Sequence, residues 1–334
     1  MKSHYKTVGV IGGGAWGTAL AQSLSIAGRD VLLWARDPNV VDSINKRHTN
    51  DSRLPGFTLA SNIQATGDIA EAASRDLIVF AVPAQHMREV GKLLGPHVAR
   101  DAASVMCTKG YERDTQNTMV GVIMQTAKLM PAVLSGPSFA ADVARGLPVA
   151  VTLAAETYGE ATRLANAFSH RHFRVYVSTD IVGVQMGGAV KNVLAIAAGI
   201  VMGRKLGASA HAALINRAFY EISEFGRHVG TQRDTINGLS CLGDLILTCN
   251  SPQSRNFTLG RHLGEGRTLQ EALKLTGGTA EGVYTAGAVI ERARRGKRPI
   301  EMPITSAVHG IVSGTLTVND AIDDLLSRPE KPEN

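Results

Sequence analysis

The chain has 334 residues, of which 44% are hydrophobic, 19% charged and 5% aromatic, and 35 are glycine. At about 100–200 residues per domain, this length predicts two domains. The composition is typical of a globular protein with many tight turns and excludes disordered, collagen-like and fibrous proteins. The apolar stretch 193–203 is shorter than the roughly 20 residues that a membrane-spanning helix needs, so we expect no stable membrane insertion.

A short segment, residues 1–6, leads directly into an apolar, strand-like run without the features of a secretory signal. We therefore expect a cytoplasmic protein. Cys107, Cys241 and Cys249 are too few and too irregularly spaced for a disulfide framework or a zinc site. We interpret them as buried reduced thiols, and we expect no bound metal.

Lysine and arginine exceed aspartate and glutamate by 35 − 29 = 6. Five cations cluster between residues 292 and 298, which we interpret as the solvated end of a helix. No aromatic stripe or nucleic-acid-binding motif accompanies them, so we expect no nucleic-acid partner. A mild positive charge suits a protein whose ligands are phosphorylated anions.

Short β-branched runs alternate with helical patterns over the first 110 residues, which is typical of βαβ units and a parallel sheet. Apolar runs predict strands at residues 7–11, 31–34, 77–82, 104–108, 132–135, 149–153 and 173–177, with helical patterns at 18–26 and 85–94. Beyond residue 180 helical spacing dominates, at residues 182–202, 208–229, 269–275 and 283–295. The second half is therefore predicted to be mostly α-helical.

A glycine-rich loop, Gly12-Gly13-Gly14-Ala15-Trp16-Gly17, separates the first strand from the first helix. In this context Gly12 permits a tight turn, Gly14 lets the backbone approach a pyrophosphate and Gly17 allows close packing of helix on strand. The pattern predicts a dinucleotide site. Trp16 is expected either to lie over the cofactor or simply to pack.

The predicted fold is α/β, with an N-terminal Rossmann-type doubly wound sheet followed by a mostly α-helical C-terminal domain. The boundaries are residues 1–180 for the dinucleotide-binding domain and 181–327 for the substrate domain, with 328–334 as a disordered tail. At the end of the second strand, Arg36 could pair with a 2′-phosphate or stack on adenine, and Asp37 could hold a 2′-hydroxyl. This order favours NADP(H), with NAD(H) tolerated.

Further segments, taken together, resemble the bacterial NAD(P)-dependent glycerol-3-phosphate dehydrogenase family. They cover nearly the whole chain in order: Ala81-Val82-Pro83, Thr108-Lys109-Gly110, Ser135-Gly136-Pro137-Ser138-Phe139-Ala140, Gly188-Ala189-Val190-Lys191-Asn192, Gly243-Asp244-Leu245, Ser254-Arg255-Asn256, Ala280-Glu281-Gly282 and Met302-Pro303-Ile304. The resemblance implies reversible reduction of dihydroxyacetone phosphate to sn-glycerol 3-phosphate, a phospholipid precursor, with NAD(P)H. It leaves a homodimer open.

Lys191 lies in an otherwise apolar helical segment, where desolvation lowers the pKa of an amine towards the range useful for proton transfer. The resemblance gives this position the proton-transfer role; the alternative is a buried stem whose amine reaches water. Asp244 could orient that amine and the substrate, or cap a helix. The resemblance makes Lys191, Lys109 and Asp244 catalytic, and all three substrate-binding.

Lys109 ends a buried strand at the carboxyl edge of the sheet, where open α/β folds bind ligands; a solvated loop lysine is the alternative. Gly136 and Ser138 could offer an amide and a hydroxyl to an anionic substrate. Ser254-Arg255-Asn256 combines a guanidinium suited to bidentate phosphate binding with small polar neighbours, or is an exposed polar loop. By resemblance this run binds the substrate phosphate, and the cofactor contacts include Lys109, Ala140, Arg255 and Glu281.

Two other functions compete with this interpretation. A dehydrogenase with the same plan could act on a β-hydroxy acid, although Ser254-Arg255-Asn256 favours a phosphorylated substrate. A non-catalytic module could sense NADP(H), although Lys191 and Asp244 argue against it. An absorbance assay with dihydroxyacetone phosphate separates the three.

Overall fold

The computed structural model describes residues 5–99, 101–295 and 298–329. Buried β-branched and aliphatic runs form eight strands in one sheet. The strands are β1 (Thr7–Ile11), β2 (Asp30–Trp34), β3 (Ile63–Thr66), β4 (Leu77–Phe80), β5 (Ala103–Met106), β6 (Ala132–Ser135), β7 (Val149–Ala154) and β8 (Phe173–Ser178). The predicted strands are all present, with ends that differ by no more than two residues, and β3 is an addition to them.

The strand order is β3-β2-β1-β4-β5-β6-β7-β8. Strands β1 to β6 are parallel, in the order of a doubly wound dinucleotide-binding sheet, which confirms the predicted fold class. Beyond the first 110 residues, for which a parallel sheet is predicted, β7 pairs with β6 in the antiparallel sense and β8 pairs with β7 in the parallel sense. The β6–β7 connection contains one five-residue helix, which spans about 7.5 Å, whereas β6 is about 13 Å long.

Seven helices belong to the sheet-containing half: α1 (Ala15–Ile26), α2 (Pro38–Arg47), α3 (Ile69–Ala73), α4 (Met87–Leu94), α5 (Met119–Ala127), α6 (Ala140–Ala144) and α7 (Tyr158–Phe168). Leu20 of α1 and Phe168 of α7 pack on one face of the sheet, and Met87 of α4 and Ile123 of α5 on the other. Both faces are covered, which explains why the strands contain continuous apolar runs rather than alternating ones.

Among the described residues after the last strand there are nine α-helices: α8 (Ile181–Gly203), α9 (Ala208–Val229), α10 (Arg233–Ile236), α11 (Asp244–Cys249), α12 (Arg255–Gly264), α13 (Leu269–Thr276), α14 (Glu281–Ala293), α15 (Pro303–Ser313) and α16 (Val318–Leu326). A π-helical turn, Leu239–Gly243, precedes α11. The central element is α8, around which α9, α11, α12, α14 and α15 pack. The second half is helical, as predicted.

Helix α8 extends well beyond the apolar stretch 193–203 and agrees with the helical pattern at 182–202 to within one residue at each end. Within the described part of the chain it is the one helix long and apolar enough to cross a membrane, with 23 residues and a mean hydropathy of 1.5. Within its most apolar window, 89% is buried inside the protein. The apolar character of α8 is therefore that of a core helix.

The backbones of α8 and α12 are in direct contact at two glycines. A Cβ added to Gly199 would overlap the Phe257 carbonyl oxygen, and one added to Gly260 would overlap that of Ile196. Any larger residue would push the helices apart. This close contact places the first turn of α12 beside the middle of α8, where Lys191 lies.

Side chains of the basic cluster contact other parts of the protein, which a solvated helix end would not do. Arg292 stacks over the Tyr111 ring at 5.2 Å and donates to the Gln116 carbonyl, and Arg294 pairs with Glu291. Lys297 lies outside the described residues. Of the predicted tail, residues 330–334 lie outside them as well, while Arg328 donates to Glu301.

Candidate active site

Asp244 lies between two lysine amines. Its Oδ1 accepts a hydrogen bond from Lys191 Nζ at 3.0 Å, and its Oδ2 accepts one from Lys109 Nζ at 2.6 Å. Lys191 comes from the middle of α8, Asp244 is the first residue of α11, and Lys109 follows β5 at the carboxyl edge of the sheet. The structure thus brings together the three residues predicted to be catalytic.

Burial sets the protonation behaviour of this cluster. It lowers the pKa of Lys191 to about 8, with the charge of Asp244 opposing the shift and that of Lys109 adding to it. Burial would raise the pKa of Asp244, but the two ammonium groups outweigh it and the pKa is lowered. The lowered pKa values of Lys191 and Asp244 are consistent with each other, because the single carboxylate faces two cations, whereas the two amines share that one anion. Lys191 therefore holds its proton less tightly than an exposed lysine does.

The two lysines differ in access. The side chain of Lys191 is 8% exposed and also donates to Thr248 Oγ1 at 2.6 Å, so its amine is enclosed by Asp244 and Thr248 rather than reaching bulk water. Lys109 is 18% exposed and donates to the Gly136 carbonyl at 3.1 Å. The alternative interpretations of both lysines as solvated groups therefore do not describe this structure. Asp244 does not cap α11 either, since Gly243 holds that position.

The backbone of the turn at residue 136 requires glycine. Gly136 has a φ of 155°, and an added Cβ would lie 2.8 Å from Val151 Cα. Ser138 Oγ donates to the Gly136 carbonyl at 3.1 Å, so the Ser138 proton is used within the turn. Ala140 begins α6 immediately afterwards.

The three residues of Ser254-Arg255-Asn256 have different environments. Ser254 is buried and caps α12 by accepting from Phe257 N, and the Asn256 side chain is buried between Asn192 Oδ1 at 3.0 Å and Gly282 N at 2.9 Å. Arg255 is exposed at the start of α12, next to Gly278, where an added Cβ would lie 3.1 Å from its guanidinium carbon. The neighbours of Arg255 therefore support the local structure, while Arg255 itself is exposed.

Glu281 connects the helical half to the sheet. Its Oε1 accepts from Ala84 N at 2.9 Å, although the two residues are 197 positions apart. Burial raises the pKa of Glu281 to about 7, against the effects of the Ala84 bond and of the Arg255 charge. Glu281 is therefore not a simple surface charge.

The glycine loop fits a dinucleotide pyrophosphate. Gly12 has a φ of 126°, and a Cβ on Gly17 would overlap the Gly12 carbonyl oxygen, so this turn requires both glycines. A Cβ on Gly14 would meet nothing within 4 Å, so the backbone is open to a ligand there. Gly14 begins α1 without a side-chain cap, which leaves the first amides of this helix for a phosphate.

Of the side chains around the glycine loop, some are packed or hydrogen-bonded within the protein and one is exposed. Trp16 packs against the sheet core, and its Nε1 is buried without a hydrogen-bond partner among the described residues. Asp37 caps α2 by accepting from Asn39 N, whereas Arg36 is exposed. Of the two candidates at the end of β2, Arg36 is thus the one open to a ligand.

Sequence reasoning missed Thr248 and the role of Asn192. Thr248 lies four residues after Asp244 and also donates to its Oδ1 at 3.2 Å. The spacing of these two residues on one helical face was the available signal. Asn192 holds Asn256, and no sequence pattern linked residues 64 positions apart.

The remaining predictions concern metals and thiols. Cys107, Cys241 and Cys249 are free and buried, as predicted, and burial raises the pKa values of Cys241 and Cys249 to about 12. Within residues 5–99, 101–295 and 298–329, no three His, Cys, Asp or Glu side chains form a group suited to a metal ion.

A dinucleotide-binding sheet with a buried lysine-carboxylate-lysine cluster at its carboxyl edge defines a nicotinamide-dependent dehydrogenase. Two family models match: the N-terminal region of NAD-dependent glycerol-3-phosphate dehydrogenase over residues 7–161, and its C-terminal region over residues 180–323. The chain belongs to this family, which confirms the resemblance and the NAD(P) cofactor class inferred from the sequence.

Individual relatives cover the full chain. Glycerol-3-phosphate dehydrogenase [NAD(P)+] of Parvibaculum lavamentivorans is 51% identical over 100% of both chains, and that of Rhodopseudomonas palustris is 49% identical over 99% of both. The crystal structure of glycerol-3-phosphate dehydrogenase from Coxiella burnetii has a TM-score of 0.92 at 36% identity, covering 97% of this chain and 99% of that one. The yeast enzyme has a TM-score of 0.81 at 27% identity, covering 97% and 99%.

Proposed function

We propose that this chain catalyses the reversible reduction of dihydroxyacetone phosphate to sn-glycerol 3-phosphate with NAD(P)H, which supplies a phospholipid precursor. The observation that carries the proposal is the buried bridge Lys191–Asp244–Lys109 beside the dinucleotide-binding edge of the sheet. The names of the relatives, glycerol-3-phosphate dehydrogenase [NAD(P)+], support the substrate assignment.

Lys191 is the proton donor in the reductive direction. The bound dinucleotide supplies the hydride to the ketone carbon. Lys191 Nζ then gives a proton to the developing alkoxide oxygen, and its pKa of about 8 suits that transfer near neutral pH. In the oxidative direction the neutral amine takes the hydroxyl proton.

Lys109 stabilises the charge that develops in this step, and Asp244 orients the two amines. Lys109 keeps a positive charge next to the reacting oxygen, where a site sheltered from water strengthens its effect. Asp244 orients both amines through separate oxygens, so neither lysine can rotate away without losing a charge-assisted hydrogen bond.

Arg255 recognises the substrate phosphate. Its guanidinium is exposed, while Ser254 and Asn256 fix the first turn of α12 around it. A planar guanidinium can make two parallel hydrogen bonds to one phosphate. Gly136, which accepts a hydrogen bond from Lys109, and Ser138 complete the substrate contacts.

The dinucleotide is bound by the glycine loop and by residues around it. Gly12, Gly14, Trp16 and Gly17 form the pyrophosphate side, with further contacts from Lys109, Ala140, Arg255 and Glu281. We propose that Arg36 favours NADP(H), since its side chain is exposed just after β2, where a dinucleotide-binding sheet reads the adenosine ribose, and Asp37 caps α2.

The division into residues 1–180 and 181–327 is part of the proposal; it is supported by the separate cores of the sheet and of the helices. We also propose a cytoplasmic protein, which three free thiols support. We propose no membrane insertion and no nucleic-acid binding; the burial of α8 supports the first of these. A homodimer is the assembly to test by light scattering. Met202, Leu206 and Tyr220 are 42–45% exposed and offer apolar surface to a second copy.

An absorbance assay at the NAD(P)H band tests the function. We expect oxidation of NADPH with dihydroxyacetone phosphate, and far slower oxidation with β-keto acids. Turnover of a β-keto acid alone would indicate the related class of dehydrogenase. Dinucleotide binding without turnover of either substrate would indicate a sensing module.

A further inference from the structure

Two polar atoms on α14 are buried and face the same glycine. Glu281 Oε2 and Thr285 Oγ1 have no hydrogen-bond partner within the described part of the chain, and Thr285 is fully buried. A Cβ added to Gly110 would lie 3.4 Å from Glu281 Oε2 and 3.5 Å from Thr285 Oγ1. Buried polar atoms in native proteins nearly always bond to protein or to an ordered water.

The other oxygen of Glu281 reaches the wall of the dinucleotide groove. It accepts from Ala84 N, at the end of the turn that follows β4. The start of that turn packs against the glycine loop, since a Cβ on Gly12 would lie 2.9 Å from the Ala81 carbonyl carbon and oxygen. A movement of the Glu281 carboxyl would therefore move the turn that borders the glycine loop.

We infer that Glu281 Oε2, Thr285 Oγ1 and Gly110 enclose a site for one buried water molecule, and that Thr285 is a positioning residue that holds the Glu281 carboxyl through this water. The site needs glycine at position 110, because a Cβ there would reach both polar atoms and approach Ala84 Cβ to 2.9 Å. The inference rests on the proposed role of Glu281 in dinucleotide binding.

The water affects a measurable quantity, the pKa of Glu281. Burial raises the pKa of Glu281 to about 7. The charged side chain facing it is Arg255 of α12; Ala84, Gly110 and Thr285 contribute no titratable group. A water that donates to Oε2 stabilises the ionised carboxyl, so removing its second anchor raises the Glu281 pKa further.

The test compares Thr285→Val, which has nearly the same shape but no hydroxyl, with Thr285→Ser, which keeps the hydroxyl. The Kd of NADPH is measured by tryptophan fluorescence from about pH 5.5 to 8.5, around the Glu281 pKa. We expect Thr285→Val to weaken binding about threefold to tenfold and to move the inflection near pH 7 upward. Thr285→Ser should behave like the unmodified protein.

Thr305→Val is the matched control, because Thr305 is also fully buried and its hydroxyl donates to a different buried carboxyl, Glu221. It should leave the Kd and its pH dependence unchanged. An unaltered Kd and inflection in Thr285→Val would overturn the inference.

A high-resolution crystal structure of the NADPH complex provides a test that needs no variant. We expect density for one water between Glu281 Oε2 and Thr285 Oγ1; density for a cofactor atom there, or none, would overturn the inference. Both tests use NADPH binding alone. A failure of the proposed function would instead appear as lack of turnover with dihydroxyacetone phosphate by the unmodified enzyme.

Discussion

Lys191 Nζ lies 3.0 Å from Asp244 Oδ1, inside a site where both side chains are at most 8% exposed. The pair is not a simple ion pair, because Asp244 also binds Lys109 through its other oxygen. Two cations therefore share one anion, which leaves Lys191 less stabilised as an ammonium than a lysine with its own carboxylate. Burial, the largest cause, and the charge of Lys109 together lower the pKa of Lys191 to about 8, against the charge of Asp244.

Replacing Lys191 by alanine should lower kcat by at least about a hundredfold, the usual contribution of a positioned general acid. The Kd for NADPH should change little, because the amine acts on the substrate oxygen. Lys92→Ala, an exposed lysine of α4, is the control. Turnover of Lys191→Ala within tenfold of the unmodified enzyme would reject the role.

The pH dependence of ketone reduction should follow Lys191. Because the ammonium form donates the proton and its pKa is about 8, kcat should fall as the pH rises above 8, while kcat for alcohol oxidation should rise over the same range. The charge of Asp244 raises this pKa. In Asp244→Asn the fall in reductive kcat should therefore begin at lower pH; a shift to higher pH would contradict the assignment.

The sequence predicted the elements that have continuous apolar runs, and it missed contacts between distant segments. Strands β1 and β6 were found to the residue, because each is a short buried run bounded by polar or glycine residues. Strand β3 was missed since its four residues, Ile-Gln-Ala-Thr, lack such a run. The direction of β7 depends on the length of a connecting helix, which local patterns do not specify.

In the candidate site, too, features of the local sequence were predicted and contacts between distant segments were missed. Lys191 stood out because a lysine inside an apolar helix is costly. Asp244 was also predicted to orient this amine, whereas Thr248, which lies 57 positions from Lys191, was missed. The contact between α8 and α12 depends on Gly199 and Gly260, whose packing becomes apparent only when both helices are in place.

Glu221 should make stability depend on pH. It is buried on α9 and accepts from Ile304 N, Thr305 N and Thr305 Oγ1, yet burial raises its pKa to about 7. A carboxyl whose folded pKa is raised stabilises the protein fully below its unfolded pKa of 4.5, and this contribution is lost as the pH rises through 7. The loss from this group is on the order of 3 kcal/mol.

Urea unfolding at a series of pH values between about 5 and 8 measures this dependence. Glu281, with its pKa also near 7, adds a loss in the same window. Glu221→Gln removes one of these losses, so the unfolding free energy should fall less steeply with pH than in the unmodified protein. An identical slope in the variant would show that Glu221 does not titrate in this range.

Arg36→Ala should weaken NADPH binding more than NADH binding, because the 2′-phosphate of NADPH alone offers a charge to this exposed guanidinium. Titration of both dinucleotides by tryptophan fluorescence measures the two Kd values. Arg171→Ala, an exposed arginine ahead of β8, serves as the control. Equal losses for NADPH and NADH would mean that Arg36 stacks on adenine or packs, and that the preference has another cause.

Arg255→Lys tests the phosphate site, because lysine keeps the charge and loses the planar fork that can make two parallel hydrogen bonds. A charge-assisted hydrogen bond contributes roughly 1.5–3 kcal/mol, so the KM for dihydroxyacetone phosphate should rise about tenfold or more. Unphosphorylated dihydroxyacetone is the control substrate, since its already poor turnover should barely change. The ratio of kcat/KM for the two substrates should therefore shrink in the variant. If that ratio stays the same, the phosphate binds elsewhere, and the exposed guanidinium at the start of α12 has no part in recognising it.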